Sequence, residues 1–139
     1  MAAAPVTPGA ARARPASDIV GIALLVAAAT QLLPGILATV SPAAFYDTIA
    51  SYPPENSHFL RDVGSWQVAL GVLCLLAWRR PALRAPVLWI LAVQYTLHTV
   101  SHVIDVNDSD PAWQGPAALV LLALGAALFI GLAVREQRA

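Results

Sequence analysis

The chain has 139 residues, of which 58% are hydrophobic and 12% charged, with a mean hydropathy of +0.67. That length holds one domain, and a composition this apolar excludes an ordinary soluble one. Eight arginines balance eight acidic residues, which gives no reason to expect nucleic acid as a partner, and the single cysteine, Cys74, excludes a disulfide framework or a cysteine zinc cage.

Residues 1–17, "MAAAPVTPGAARARPAS", are rich in proline and alanine with almost nothing to bury, and read as a disordered cytoplasmic tail. Four apolar runs follow, at about 18–40, 58–78, 82–104 and 112–134, within one domain of residues 18–139. At about 1.5 Å per residue each covers the roughly 30 Å of a bilayer's hydrocarbon core. The expectation is an all-α polytopic membrane protein, four transmembrane helices in an antiparallel bundle. The lipid bilayer is then its first partner, and association into homo-oligomers is compatible with so small a bundle.

Boundary signals agree with these spans. Ser17 and Asp18 can cap the first, Asn56 or Ser57 the second, and Asp110 the fourth, with Pro111 at its first helical position. Pro34 falls inside the first span and predicts a kink, whereas Pro86 and Pro116 fall in first turns, where a missing amide costs little. "AAAT" at 27–30 resembles a signal-peptide cleavage site, but the apolar run continues through Leu32, Leu33, Ile36 and Leu37, longer than a signal needs. Arg12, Arg14, Arg79, Arg80, Arg84, Arg135 and Arg138 all flank the spans on one side, and Asp47, Glu55, Asp108 and Asp110 lie on the other. Since arginine-rich loops stay in the cytoplasm, the chain reads as a multi-pass protein of the cell membrane with both termini cytoplasmic.

The third span ends on "HTVSHVID", two histidines and an aspartate in apolar surroundings. At 100° per residue, Gln94, His98, Ser101, His102 and Asp105 share an arc of about 100°. His58, Arg61, Asp62 and Ser65 share a similar arc at the start of the second span, at matching depth. Intramembrane charge is costly against lipid, so the two stripes are expected to face each other and form a polar pocket at the extracytoplasmic face.

Three uses of that pocket follow. In a structural network Arg61 pairs with Asp62 or Asp105, the histidines hydrogen-bond while neutral, and Gly64, Gly71, Gly125 and Gly131 pack the helices closely. In a metal site the i, i+4 pair His98 and His102, completed by His58 or Asp105, holds a divalent metal; with His58 as the third ligand it activates water for a membrane enzyme with Asp62 or Asp105 as base. Haem fits less well, because His58 sits at the membrane edge. In a ligand site Arg61 partners a lipid headgroup, quinone or small anion between Trp66, Tyr95 and Trp113. Gln31 is about as deep as Gln94 and within reach of a hydrogen bond to it. Cys74, opposite the polar stripe, reads as packing. The combined expectation is a membrane protein with a binding or accessory role, with the metal-dependent enzyme as the alternative.

The run from Pro53 onward carries Pro53, Pro54, Asn56, His58, Arg61, Asp62 and Gly64, followed by His98 and His102. This pattern, P-P-x-N-x-H-x-x-R-D-x-G and then H-x-x-x-H, resembles a family of uncharacterised small bacterial membrane proteins common in actinobacteria, with four predicted spans. In layout alone the chain is also similar to DoxX-like four-helix proteins. The resemblance implies the four-span fold and joins Asn56, His58, Arg61 and Asp62 to the two histidines of the third span. It implies no activity.

Overall fold

The computed structural model describes residues 19–138. The tail at 1–17 and the Ser17/Asp18 cap lie outside them. The described chain is all-α: α1 (Ile19–Val40), α2 (Pro42–Thr48), α3 (Ser57–Arg79), a 3-10 turn (Pro81–Leu83), α4 (Arg84–Ile104) and α5 (Gln114–Gln137). Four helices are long and apolar enough to cross a membrane, α4 together with its leading 3-10 turn. The chain therefore fits a small integral membrane protein.

Local chemistry sets most of the ends. Asn56 caps α3, its side-chain oxygen accepting from the Phe59 amide at 3.1 Å. Pro42 opens α2, a seven-residue helix not anticipated from the sequence. It seals one end of the fold by burying Phe45 against Ala38 of α1 and Leu60 of α3. The start of α5 departs from expectation, since the helix begins at Gln114 and leaves Asp110 and Pro111 in the preceding turn. The capping role falls to Ser109, whose hydroxyl accepts from the Gly115 amide at 2.8 Å and donates to the Pro111 carbonyl at 3.2 Å. Gly115 itself has no room for a side chain, because a Cβ there would meet the Val106 carbonyl.

Packing resolves the bundle into two helix pairs, α1 with α3 and α4 with α5. The first pair rests on small residues. A Cβ on Gly64 would stand 2.8 Å from the Gly35 carbonyl oxygen and 2.6 Å from the Thr39 hydroxyl, and one on Gly71 would stand 2.6 Å from Leu32. Only glycine lets the backbones approach this closely, and in lipid that approach is what holds helices together. In the second pair Tyr95 fills the space beside Gly125 and stacks at a tilt on Phe129, ring centroids 4.9 Å apart. Gly131, expected to pack in the same way, faces open space.

The pairs share a buried core at one end only. Val20, Leu24, Ala27 and Ala28 from the start of α1 meet Cys74 and Ala77 from the end of α3, then Leu88 and Leu91 near the start of α4 and Phe129 and Leu132 near the end of α5. Cys74 is fully buried there, as packing. Beyond this core the pairs part.

The glycine seam yields a contrast that can be measured. Gly64→Ala is expected to lower stability by about 1–3 kcal/mol, because its methyl meets backbone and the helices must separate. Gly131→Ala is expected to be neutral or to stabilise by up to about 1 kcal/mol, since it improves helix propensity in open space. Unfolding of the purified protein in mixed micelles under rising SDS reads both, and equal losses at the two positions would refute the seam.

Candidate functional site: a cleft between the helix pairs

Where the pairs part they enclose a cleft of about 1440 Å³. Its walls are mainly apolar: Phe59, Val63, Trp66 and Leu70 on α3, Ile90, Val93 and Leu97 on α4, Leu121 and Leu122 on α5. Several of these are also widely exposed, Trp66 at 77% and Leu97 at 63%, so the cleft communicates with the molecule's exposed apolar surface. Phe45 and Tyr46 of α2 line it at the end remote from the shared core.

The arc read from the α4 sequence faces this cleft in full. Gln94, His98, Ser101, His102 and Asp105 all line it, and Asn56 joins them from the start of α3. His98 and His102 sit one turn apart with ring centroids 4.9 Å apart. The hydroxyl of Tyr52, from the α2–α3 loop, is hydrogen-bonded to His102 Nδ1 at 3.0 Å, the two rings meeting edge to face.

The α3 stripe does not face it. His58, Arg61, Asp62 and Ser65 are all exposed, and none lines the cleft. The glycine seam explains this: with Gly64 and Gly71 turned to α1, helical geometry places the stripe's centre roughly 110° to one side of the seam and the cleft wall about as far to the other. Asp62 meets His58 at 3.6 Å, with side-chain exposures of 63% and 89%, and Arg61 is not paired with Asp62 or Asp105. Ser65 donates to the Asp62 carbonyl within its own helix at 2.8 Å. The expected His58/His98/His102 ligand set is therefore not assembled. Among the described residues no three histidine, cysteine, aspartate or glutamate side chains are grouped to hold a metal ion. Asp62, a candidate base, faces away from the cleft, and the other candidate, Asp105, stands at its rim beside the end of α4.

Of the expected walls, Trp66 lines the cleft, whereas Tyr95 is committed to Gly125 and Phe129, and Trp113 is 68% exposed outside it. Trp78 packs against the shared core with the Arg79 guanidinium 5.8 Å from its ring centroid.

Among the contributors that had not been singled out are Tyr52, Gln67, Trp89 and Gln114. Gln67 is the most telling, because Gln31, Gln67 and Gln94 come from three helices and stand within about one turn of the same depth, midway along their spans. A glutamine in the middle of each of three apolar runs was the available signal. Threonines in these helices satisfy their hydroxyls locally; Thr96 and Thr99 donate to carbonyls one turn back, each at 2.7 Å. The glutamines do not. Gln67 Oε1, Gln94 Oε1 and Gln114 Oε1 are buried without a hydrogen-bond partner, as is Trp89 Nε1, and all four side chains line the cleft. The expected Gln31–Gln94 bond is thus not made through the Gln94 oxygen, although both residues line the cleft.

No protein family, curated protein or solved structure matches this chain. Any reading of its role therefore rests on the cleft.

Tyr52 is the cleft's reporter of charge. Burial chiefly, then the nearby carboxylates of Asp105 and Asp108, holds its phenol above the ordinary tyrosine range. An acid whose pKa is raised by folding stabilises the fold fully below its unfolded value, and that contribution is lost as pH rises through the interval between the unfolded and folded values. Ultraviolet titration of wild type against Tyr52→Phe is expected to isolate one late-titrating phenol. Asp108→Asn should move it part of the way back, by less than exposing the ring would. A Tyr52 phenol titrating with the free amino acid would refute its placement.

Proposed function

We propose that this small integral membrane protein acts as a binding or accessory component, holding a lipid, quinone or comparably small amphipathic molecule in the cleft between α3 and α4. The observation that carries the reading is the cleft itself: apolar walls in contact with the lipid-facing surface, and polar groups converging on it from four helices and a loop. Sites for small ligands have this composition, with a few placed polar groups in an apolar enclosure. The metal-dependent enzyme has no comparable support, since its three histidines are divided between two faces.

Native mass spectrometry of protein extracted directly from membranes tests this. Wild type is expected to retain a hydrophobic adduct, and a variant with the cleft filled, Val63→Trp with Ala118→Phe, to lose it. Retention of the same adduct by the filled variant would place the molecule on the outer surface and overturn the reading.

The proposal also sets the mouth of the cleft on the outer side of the membrane, because the arginines at 79, 80, 84, 135 and 138 lie at the opposite end. Cys74 is fully buried, out of reach of reagents, and can stay. An impermeant thiol reagent applied to intact cells is expected to label Asp108→Cys and to spare Arg80→Cys. Labelling of Arg80→Cys instead would invert the topology.

A further inference from the structure

We propose that the occupant of the cleft is an uncharged lipid bearing a free hydroxyl, of the diacylglycerol or long-chain alcohol class, with its hydroxyl seated at mid-depth between Gln67 and Gln94. This rests on the binding role proposed above and narrows it by chemistry.

The first argument is charge. Arg61 turns away, and among the described residues that line the cleft no arginine appears; the only full charge is the carboxylate of Asp105. A phosphate or carboxylate headgroup drawn into this enclosure would lose its hydration, meet no cation and approach a like charge, whereas a neutral headgroup avoids all three costs.

The second argument is hydrogen bonding. Gln67, Gln94, Gln114 and Trp89 line the cleft, and each holds a buried polar atom without a partner, three amide oxygens and one indole N–H; Gln67 and Gln94 lie midway along their spans, where water does not supply them. The oxygens require a donor and the indole an acceptor. A ketone or ester carbonyl answers only the indole. A hydroxyl answers both kinds, and because it donates and accepts it also suits either orientation of a glutamine amide. The apolar walls around the glutamines, Val63 and Leu70 on α3 with Ile90, Val93 and Leu97 on α4, then accept the chains.

The experiment uses Trp89, which lines the cleft, as the sole fluorophore in the full-length Trp66→Phe, Trp78→Phe, Trp113→Phe protein reconstituted in phosphatidylcholine nanodiscs. Three quenchers with the same brominated acyl chains are compared: diacylglycerol, its hydroxyl-acetylated derivative, and phosphatidic acid. Diacylglycerol is expected to quench saturably with membrane mole fraction, and the other two more weakly by about tenfold or more. Gln67→Leu and Gln94→Leu are each expected to weaken diacylglycerol by about three- to tenfold, and Arg61→Gln, outside the cleft, to leave it unchanged. Leucine removes a stranded polar atom and is expected to fold at least as well, and the comparison of the three quenchers needs no cleft variant. Saturable quenching by phosphatidic acid or by the acetylated glyceride equal to that by diacylglycerol would overturn the hydroxyl assignment while leaving the cleft a lipid site. Quenching that rises linearly for all three, as in bulk lipid, would overturn both.

Discussion

The close approach of α1 and α3 at Gly35, Gly64 and Gly71 governs the rest of the molecule. Within a bilayer there is no hydrophobic drive to bring helices together, so contact depends on how near their backbones can come. Glycine permits that approach at one orientation of α3 only. Once Gly64 stands against the Gly35 carbonyl, Phe59, Val63, Trp66 and Leu70 look towards α4, and His58, Arg61, Asp62 and Ser65 look outward. The chemistry of the cleft, amide and imidazole without arginine, is thus decided by residues that carry no side chain.

The positions of the spans were legible because length and apolar composition suffice for them, and the Asn56 cap because its geometry is local. The polar arc of α4 was legible for the same reason: helical periodicity alone places Gln94, His98, Ser101, His102 and Asp105 on one face, and that face is the one lining the cleft. The rotation of α3 was misread. Charge within a span argues for burial, but His58, Arg61 and Asp62 lie in the first two turns, where long side chains reach the water at little cost. The glycines on the opposite side carried the stronger constraint. Neither α2 nor the Tyr52–His102 bond could be read from periodicity, since a seven-residue helix has little periodic signal and the bond joins residues fifty apart in the chain.

Polar groups in this bundle fall into two regimes. Threonine hydroxyls close on their own helices and are spent there, adding nothing to recognition. Glutamines reach too far for that, so each must find its partner across a helix interface or in the cleft. Three of them at one depth, on helices otherwise fit for lipid, concentrate hydrogen-bonding capacity where the surrounding membrane offers almost none. Neutral amides achieve this without the cost that charged groups would incur at the same depth.

The two loops at the α2 end are tied across the bundle. The Asp110 amide donates to the Ser51 carbonyl at 3.0 Å, and one residue further along Tyr52 holds His102. With the helices sharing a core at the other end and the loops fastened at this one, the widely exposed Trp66 and Leu97 mark the side between α3 and α4 as a lateral way into the cleft. For the lipid proposed above, exchange by that route would be two-dimensional: occupancy would follow the mole fraction of the guest among neighbouring lipids and be indifferent to its vanishing concentration in water. On the proposed binding role, a protein so built would respond to the composition of the membrane in which it sits.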